Sequence, residues 1–233
     1  MELEKQRESN LSLKRGIFKE ELKNRFLCLV EVDGKDTLCY IPSSCRLSNF
    51  LDLSQKAVLL KSIESTGTRT KYSVFAVYEG NNIVLLNTSQ ANRVILKSIR
   101  NRRFCDLGKR KRIKTEYLIE GYKCDLYIED TKTIVEIKSL ISLGKEAQYP
   151  TVFSKRAIDQ LSMLCDLLDK GYRACYIFVS LNPKVQQIVI NEDEMEFRKE
   201  LICCINKGMI IKALSLTLDN GDPTIYKSLK IIV

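Results

Sequence analysis

A strand–helix–strand unit in the second half of the chain limits the possible folds more than any other feature. The mainly apolar stretch "TIVEIKS" (133–139) and the wholly apolar stretch "ACYIFVS" (174–180) flank a helical pattern. In that pattern, apolar residues recur every three or four positions between Ser154, a candidate N-cap, and Gly171, a candidate helix end. Two buried strands joined by a helix usually pair in parallel, so the sequence predicts an α/β domain here.

Further strands and a second helix are predicted around this unit. The stretches "TEYLIEG" (115–121) and "CDLYIE" (124–129) precede it, and a helix at 194–206 and the strand "MIIKALSLTL" (209–218) follow it. We therefore expect residues 101–233 to form one domain of mixed strand and helix order.

Short apolar stretches in the first half of the chain predict a small β-barrel. They are separated by turns such as Asp33-Gly34 and Gly80-Asn81, and closely spaced strands of this kind favour a barrel of the OB type. The predicted N-terminal domain covers residues 1–100, and a short helix or connector runs from Val94 to about Arg103. The strand-like stretches are "FLCLVEV", "DTLCYIP", "AVLLKSI", "KYSVFAVYE" and "NIVLLN".

Positive charge is concentrated just after this predicted barrel. The chain has a net charge of +9, and eight of the fifteen residues from Arg100 to Lys114 are Lys or Arg. A phosphate backbone is the partner that best explains such a run, which predicts binding to DNA. A solvated basic surface without a partner and a nuclear-localisation signal are the alternatives. The residues predicted to contact nucleic acid here are Arg100, Arg102, Arg103, Lys109, Arg110, Lys111 and Arg112.

The cysteines and the missing histidines argue against several kinds of site. None of the nine Cys belongs to a CxxC pair and the chain has no His, which disfavours a zinc site and Ser-His or Cys-His catalysis. The N-terminus lacks the apolar core of a secretory signal, and no run is long enough to span a bilayer. We expect a cytoplasmic protein with reduced thiols and without a membrane partner, and the sequence leaves its oligomeric state open.

Two acidic residues in the hairpin "CDLYIEDTKTIVEIKS" (124–139) need an explanation. If Asp130-Thr131 centres the turn, the numbers of facing residues sum to 261, and Asp125 lies opposite Glu136. Two unit charges about 5 Å apart repel by about 3 kcal/mol at an effective dielectric of about 20. A favourable cross-strand pair contributes only about 0.2–1 kcal/mol. A positive group is therefore expected beside them.

Two positive groups fit this position. In the simpler interpretation, Lys138, two residues along the same strand face, neutralises Glu136. In the other, Asp125 and Glu136 bind Mg²⁺ or Mn²⁺, with water and phosphate oxygens as the remaining ligands. Lys138 would then orient or deprotonate an attacking water. The second interpretation predicts metal-dependent phosphodiester hydrolysis.

Asp125 followed by Glu136-x-Lys138 also matches the signature of the PD-(D/E)XK nuclease superfamily, and the surrounding sequence resembles one family throughout. From about Arg25 to about Ala213, the chain resembles the sugar fermentation stimulation protein A family. The resemblance implies an OB-like β-barrel followed by a PD-(D/E)XK restriction-endonuclease-like α/β domain. It also implies DNA binding without strong sequence preference and a regulatory part in sugar catabolism. The segments that carry it are "RFLCLVEVDGK", "IPSSCRL", "RTKY", "LLNTSQAN", "CDLYI", "VEIKSL", "YPTVFSKR" and "GYRACYIFV".

The same resemblance assigns roles to single residues. The family's metal-binding and catalytic motif falls on Asp125, Glu136 and Lys138, and Glu116 matches an upstream acidic position that is either an outer metal contact or a solvent-facing strand residue. Nucleic-acid contacts are implied for Arg46, Arg69, Lys71, Lys123 and Arg156. Asn87, Thr88 and Asn92 keep the family's "NTxxAN" pattern and are expected mostly to cap the following helix.

Several positions depart from the family pattern. Ser44-Cys45 replaces a Thr-Gly pair, and Lys123-Cys124 replaces a Ser-Arg pair before the motif. In the helix region, Thr151, Ala157, Asp159 and Gln160 stand where the family has an Asp and a Gly-x-Lys-His run. The sequence thus leaves two functions open, a Mg²⁺-dependent deoxyribonuclease and a DNA-binding regulator that keeps a nuclease fold without turnover.

Overall fold

An N-terminal β-sheet of six strands forms the first half of the protein. The computed structural model describes residues 13–43, 46–49, 51–63 and 69–233, so the departure at Ser44-Cys45 lies outside the described residues. The strands are β1 (Leu13–Glu21), β2 (Leu27–Val32), β3 (Lys35–Tyr40), β4 (Ala57–Ser62), β5 (Tyr72–Glu79) and β6 (Asn82–Leu85). Their order is β3-β2-β1-β4-β5-β6, and β3 also pairs with β5 over two residue pairs, which joins the ends of a five-strand ring.

Strand β1 lies at the centre of this sheet although its sequence did not predict a strand. It pairs with both β2 and β4, and its alternating burial places Phe18 in the core. Gly16 permits the close approach of β2: a Cβ there would lie 2.5 Å from Cγ1 of Val30 and 2.9 Å from the carbonyl oxygen of Glu31. Glycine inside a strand marks such a contact between backbones.

The second half combines a mixed six-stranded sheet with two helices. The strands are β7 (Ile113–Ile119), β8 (Tyr122–Ile128), β9 (Thr133–Leu140), β10 (Glu146–Tyr149), β11 (Arg173–Ser180), β12 (Gln187–Ile190), β13 (Ile210–Asp219), β14 (Asp222–Ser228) and β15 (Lys230–Ile232). The order in the mixed sheet is β14-β13-β11-β9-β8-β7, and β10-β12-β15 form a small parallel sheet. The predicted parallel pairing of β9 with β11 is confirmed, with Glu136 beside Tyr176 and Lys138 beside Phe178.

Three α-helices pack on these sheets, namely α1 (Ser89–Ser98), α2 (Lys155–Asp169) and α3 (Met195–Asn206). Ser154 caps α2 as predicted, because its side chain accepts a hydrogen bond from the Ala157 N–H at 3.2 Å. The first helix begins earlier than expected and ends before the basic run, which begins in a turn at Arg100 and continues through a 3-10 segment, Arg102–Leu107. Among the described helices, none is long and apolar enough to cross a membrane.

The mixed sheet separates two hydrophobic cores. One face, with Leu126, Val135 and Ile177, packs against α1 and the N-terminal sheet in a single cluster. The other face, with Ile134, Tyr176 and Phe178, is covered by α2 and α3. Because one core continues from the first sheet into the second, the boundary at residues 100 and 101 stays a prediction. The eight cysteines in the described ranges are free thiols.

Candidate metal centre

Asp125 lies where the paired part of the β8–β9 hairpin ends. The predicted register is confirmed, since Leu126 pairs with Val135 and Ile128 with Thr133, although the turn is a 3-10 segment followed by Lys132 in the left-handed region. One oxygen of Asp125 accepts from the backbone N–H of Ile137 at 2.7 Å, and the other accepts from Nδ2 of Asn92 on α1 at 2.8 Å. The carboxylate is therefore held by the neighbouring strand and by a helix.

Glu136 and Lys138 project together from β9. Glu136 is 4% exposed, and its Oε2 accepts from the Tyr122 hydroxyl at 2.7 Å. Its Oε1 accepts from Nζ of Lys138 at 2.7 Å, and the same Nζ donates to Oε1 of Gln160 on α2, also at 2.7 Å. The neutralising contact between Lys138 and Glu136 that the sequence suggested is thus present.

Negative charge is destabilised at this site. Burial and, to a smaller extent, the nearby charge of Glu136 raise the pKa of Asp125 to about 6, despite the opposing effects of the Ile137 N–H, Lys138 and Asn92. Burial and Glu136 likewise raise the pKa of Tyr122 far above its usual range, so its hydroxyl remains a hydrogen-bond donor. Lys138 alone does not cancel the repulsion between the two carboxylates, so an additional cation would be stabilised here.

The donor set fits a hard divalent cation with an incomplete protein shell. Each carboxylate oxygen of Asp125 and Glu136 accepts one hydrogen bond, which leaves acceptor positions on both groups. In the described part of the chain, no group of three or more His, Cys, Asp or Glu residues could hold a metal ion. A cation bound here would therefore keep water or substrate oxygens, which is the usual coordination of Mg²⁺ and differs from a closed Ca²⁺ or Zn²⁺ site.

Glu116 is not brought into this cluster. The β7–β8 register places it next to Asp125, between the pairs Thr115–Leu126 and Tyr117–Cys124. Its backbone has φ +48°, however, and its side chain is 73% exposed and paired with Lys123 at 2.6 Å. Lys123 lowers the pKa of this carboxyl. The role of Glu116 as an outer metal contact, and that of Lys123 in DNA binding, stay predictions.

The basic run lies at the far end of the same strands. Asp130 accepts from the backbone N–H groups of Lys111 and Arg112, and Lys109 and Arg112 lie 3.7 Å from its carboxylate. These acidic contacts hold the run beside the β8–β9 turn. Thr133, at the start of β9, is about 10 Å along the strand from Glu136. The run therefore flanks the carboxylates at a distance and does not contact them.

The other predicted nucleic-acid residues are dispersed. Arg46 donates to the carbonyl oxygens of Leu22 and Lys23, at 3.1 and 2.6 Å, and so holds the loop between β1 and β2. Arg69 and Lys71 are exposed at the entry of β5. Arg156 is exposed on α2, one helical turn before Gln160. Among these four residues, Arg156 is the one whose own helix also supplies a contact to the cluster, through Gln160.

Three contributors to the site were not assigned their roles from the sequence. Asn92 was expected to cap α1, but it binds Asp125. The N-cap residue, Thr88, makes no side-chain capping bond, and Asn87 before it accepts from the Ser89 N–H at 3.0 Å. Tyr122 and Gln160 complete the hydrogen bonds of Glu136 and Lys138. A signal existed for Tyr122, because it precedes Asp125 in the same strand, but partners from α1 and α2 follow only from the tertiary fold.

Comparison with known proteins places this geometry in a family. The family model "SfsA N-terminal OB domain" matches residues 22–86, and "Sugar fermentation stimulation protein RE domain" matches residues 89–222. The N-terminal OB domain and the family assignment predicted from the sequence are thereby confirmed.

Relatives match over nearly their whole length. Sugar fermentation stimulation protein homologues of Ruminiclostridium cellulolyticum and Desulfitobacterium hafniense are 25% and 26% identical, covering 94% and 90% of this chain and 97% and 92% of those proteins. The structure of Pyrococcus furiosus SfsA in complex with Ca²⁺ has the same fold, with a TM-score of 0.81, 22% identity and coverage of 95% of this chain and 96% of that one. The chain therefore belongs to the sugar fermentation stimulation protein family.

Proposed function

We propose that this protein is a DNA-binding, divalent-metal-dependent deoxyribonuclease of the PD-(D/E)XK type. The observation that carries the proposal is the cluster of Asp125, Glu136 and Lys138 on adjacent strands. In this cluster the charge of Glu136 raises the pKa of Asp125, and Lys138 contacts Glu136. The Ca²⁺ named with the Pyrococcus furiosus structure supports a hard cation in this fold. Mg²⁺ or Mn²⁺ is proposed for hydrolysis, because both take carboxylate and water oxygens.

Asp125 and Glu136 would hold the cation, which when bound stabilises developing negative charge on a phosphate. Asn92 and the Ile137 N–H fix the orientation of Asp125, and Tyr122 fixes that of Glu136. Lys138 has three N–H donors, of which one contacts Glu136 and one contacts Gln160. The remaining donor is available to orient a water for attack or to donate to a phosphate oxygen.

DNA binding is proposed on electrostatic grounds. The protein has a net charge of +9, and exposed basic residues lie on α2, in the basic run and at the entry of β5. Such contacts act on the phosphate backbone and give little sequence preference. The affinity is therefore expected to fall steeply with salt concentration.

A second candidate is a DNA-binding regulator of sugar catabolism without turnover. One observation favours it: Gln160, a neutral side chain, accepts from the lysine of the motif, at a helix position where the sequence departs from the family's Gly-x-Lys-His run. Compared with relatives that carry this run, less positive charge would face a bound phosphate. Stabilisation of the transition state would therefore be weaker.

Cleavage of plasmid, linear duplex and single-stranded DNA with Mg²⁺, Mn²⁺ or EDTA separates the two candidates. The enzyme is expected to nick or degrade DNA only with metal, and Asp125→Ala and Lys138→Ala are expected to lose that activity while still binding DNA. Lys170→Ala, which breaks an exposed ion pair with Glu120, is the matched control and should retain activity. Equal cleavage by all variants would indicate a contaminant and defeat the nuclease proposal.

A further inference from the structure

An open cavity of about 680 Å³ lies on the N-terminal sheet, where β3, β5 and the start of α1 meet. Its lining surface is mainly apolar, but it also presents polar side chains, which include Ser43, Thr70, Asn87 and Ser89. Ser43 is 3% exposed, and its hydroxyl has no hydrogen-bond partner in the described part of the chain. A buried hydroxyl in that state is costly unless a ligand or water satisfies it. The cavity is therefore suited to a flat, largely apolar ligand with a few polar edge atoms, one of which would bind the Ser43 hydroxyl.

An aromatic platform forms the rim of this cavity. Tyr40, which also lines it, stacks on Phe26 with ring centroids 6.3 Å apart and an angle of 22° between the planes. These rings are 37% and 36% exposed, and the guanidinium of Arg25 lies 4.6 Å from the centre of the Phe26 ring. Large aromatic rings next to a cation are the usual surface for stacking the bases of a single strand.

The first helix connects this cavity to the candidate metal centre. Asn87 and Ser89 line the cavity at the beginning of α1, and Asn92, three residues further, binds Asp125. Three helical residues span about 4.5 Å along the axis. A base held in the cavity would thus bring the neighbouring phosphates toward the two carboxylates. Exposed Arg69 and Lys71, the chain neighbours of Thr70, supply positive charge beside the cavity.

We propose that the cavity and its platform bind an unpaired base of single-stranded DNA, so that single strands or frayed ends are preferred over intact duplex. This proposal rests on the proposed nuclease function and names its substrate form. The reason is steric, because stacking on Phe26 and Tyr40 requires a free base face. In a duplex, the stacked neighbours cover both faces of each base, and pairing holds the base in the stack. A base that stays paired in a duplex would not enter the cavity and would not bind the Ser43 hydroxyl.

Binding is measured with a fluorescein-labelled twelve-residue oligothymidylate and with a duplex of the same length, in EDTA so that cleavage does not interfere. Phe26→Ala combined with Tyr40→Ala is expected to weaken single-strand binding about 5- to 100-fold, the range for loss of base stacking. Duplex binding should change less than about twofold. Tyr226→Ala is the matched control, since Tyr226 is also an exposed ring beside a cation, Lys227, at 5.5 Å, and it should bind both DNAs normally.

Two results would overturn the inference: unchanged single-strand affinity in the double variant, or an equal loss for single strand and duplex. Competition by thymidine monophosphate distinguishes a free nucleotide from a strand, because monophosphate binding as tight as the oligonucleotide would contradict a strand site. Crosslinking of a 5-iodouracil oligonucleotide to the unaltered protein keeps the test valid if the variant misfolds, and the crosslink is expected on Phe26 or Tyr40. A crosslink confined to other surfaces would contradict the proposal.

The outcomes also separate this inference from the nuclease proposal. If the double variant keeps single-strand affinity while Asp125→Ala loses cleavage, only the stacking site is wrong. If Asp125→Ala cleaves normally while the platform variant loses single-strand binding, the nuclease proposal fails and the binding site is retained.

Discussion

Nζ of Lys138 lies 2.7 Å from Oε1 of Glu136 in an ion pair whose side chains are 15% and 5% exposed. Such a buried pair contributes little net stability, because the desolvation of both groups offsets their attraction. The pair lies beside Asp125, and hydrogen bonds to Glu136 and Gln160 fix the position of the lysine amine. This arrangement agrees with a catalytic role for the lysine.

Removing the lysine alone should destabilise the fold. Lys138→Met leaves Glu136 buried without its cation, which costs about 3–5 kcal/mol of unfolding free energy. Adding Glu136→Gln should recover most of that loss, because the uncompensated charge disappears. Urea denaturation of the two single variants and the double variant measures this cycle. Additive losses in the double variant would show that the two side chains do not interact.

The pKa of Asp125 gives the metal-free protein a defined pH dependence. The carboxyl titrates near pH 6 when folded and near about pH 4 when unfolded. The folded state therefore binds the proton more tightly, so this group's stabilising contribution is full below about pH 4 and is lost as pH rises to about 6. The total change is up to about 3 kcal/mol.

Asp125→Asn cannot ionise and should escape this loss. With a chelator present, urea unfolding at each pH measures the unfolding free energy of both proteins. The value for Asp125→Asn relative to the native protein is expected to increase between pH 4 and pH 7. Asp159→Asn is the control, because that carboxyl is 55% exposed in an ion pair with Lys155. A stability difference for Asp125→Asn that does not vary with pH would contradict the proposed environment.

Asn92 should matter for the metal although it lies outside the strands. Its amide donates to Asp125 from α1, and loss of a hydrogen bond to a metal ligand typically weakens affinity 10- to 100-fold. Calorimetric titration with Mn²⁺ is expected to show that loss in Asn92→Ala and no change in Arg93→Ala, an exposed neighbour on the same helix. Equal Mn²⁺ affinities in the two variants would show that α1 does not contribute to metal binding.

The basic run should contribute unequally to DNA binding. Arg102 and Lys111 are exposed, and their side chains form no hydrogen bond or ion pair within the described residues, whereas Lys114 pairs with Glu129 at 2.6 Å. Arg102→Ala and Lys111→Ala are each expected to reduce the slope of log K against log salt by about 0.9. Lys114→Ala should change it less. Identical slopes in the three variants and the native protein would exclude the run from the interface.

The sequence predicted the parts of the fold in which local pattern and tertiary packing agree. Alternation in β8 and β9 gave the correct register, and the apolar spacing of α2 gave its limits. Strand β1 was missed because Lys14, Arg15 and Lys19 interrupt its apolar pattern, although Gly16 marked a close backbone contact. Strand β14 was missed because it is a largely exposed edge strand containing Pro223.

The candidate site was predictable only along one hairpin. Asp125, Glu136 and Lys138 come from adjacent strands, so their convergence follows from residue spacing alone. The positions of Asn92 and Gln160 depend on how α1 and α2 pack on the sheet, which no local pattern encodes. For the same reason, the spacing did not reveal that the basic run lies beside Asp130, away from the carboxylates.

If Asp125 and Glu136 share one divalent cation beside Lys138, a crystal of the native protein soaked in Mn²⁺ will contain that ion between them. Anomalous scattering is expected to show one peak within about 2.0–2.3 Å of an oxygen from each carboxylate, with its remaining ligands from water, and no such peak in Asp125→Ala. A cation bound elsewhere, or an ordered Lys138–Glu136 pair with no metal at saturating Mn²⁺, would contradict it.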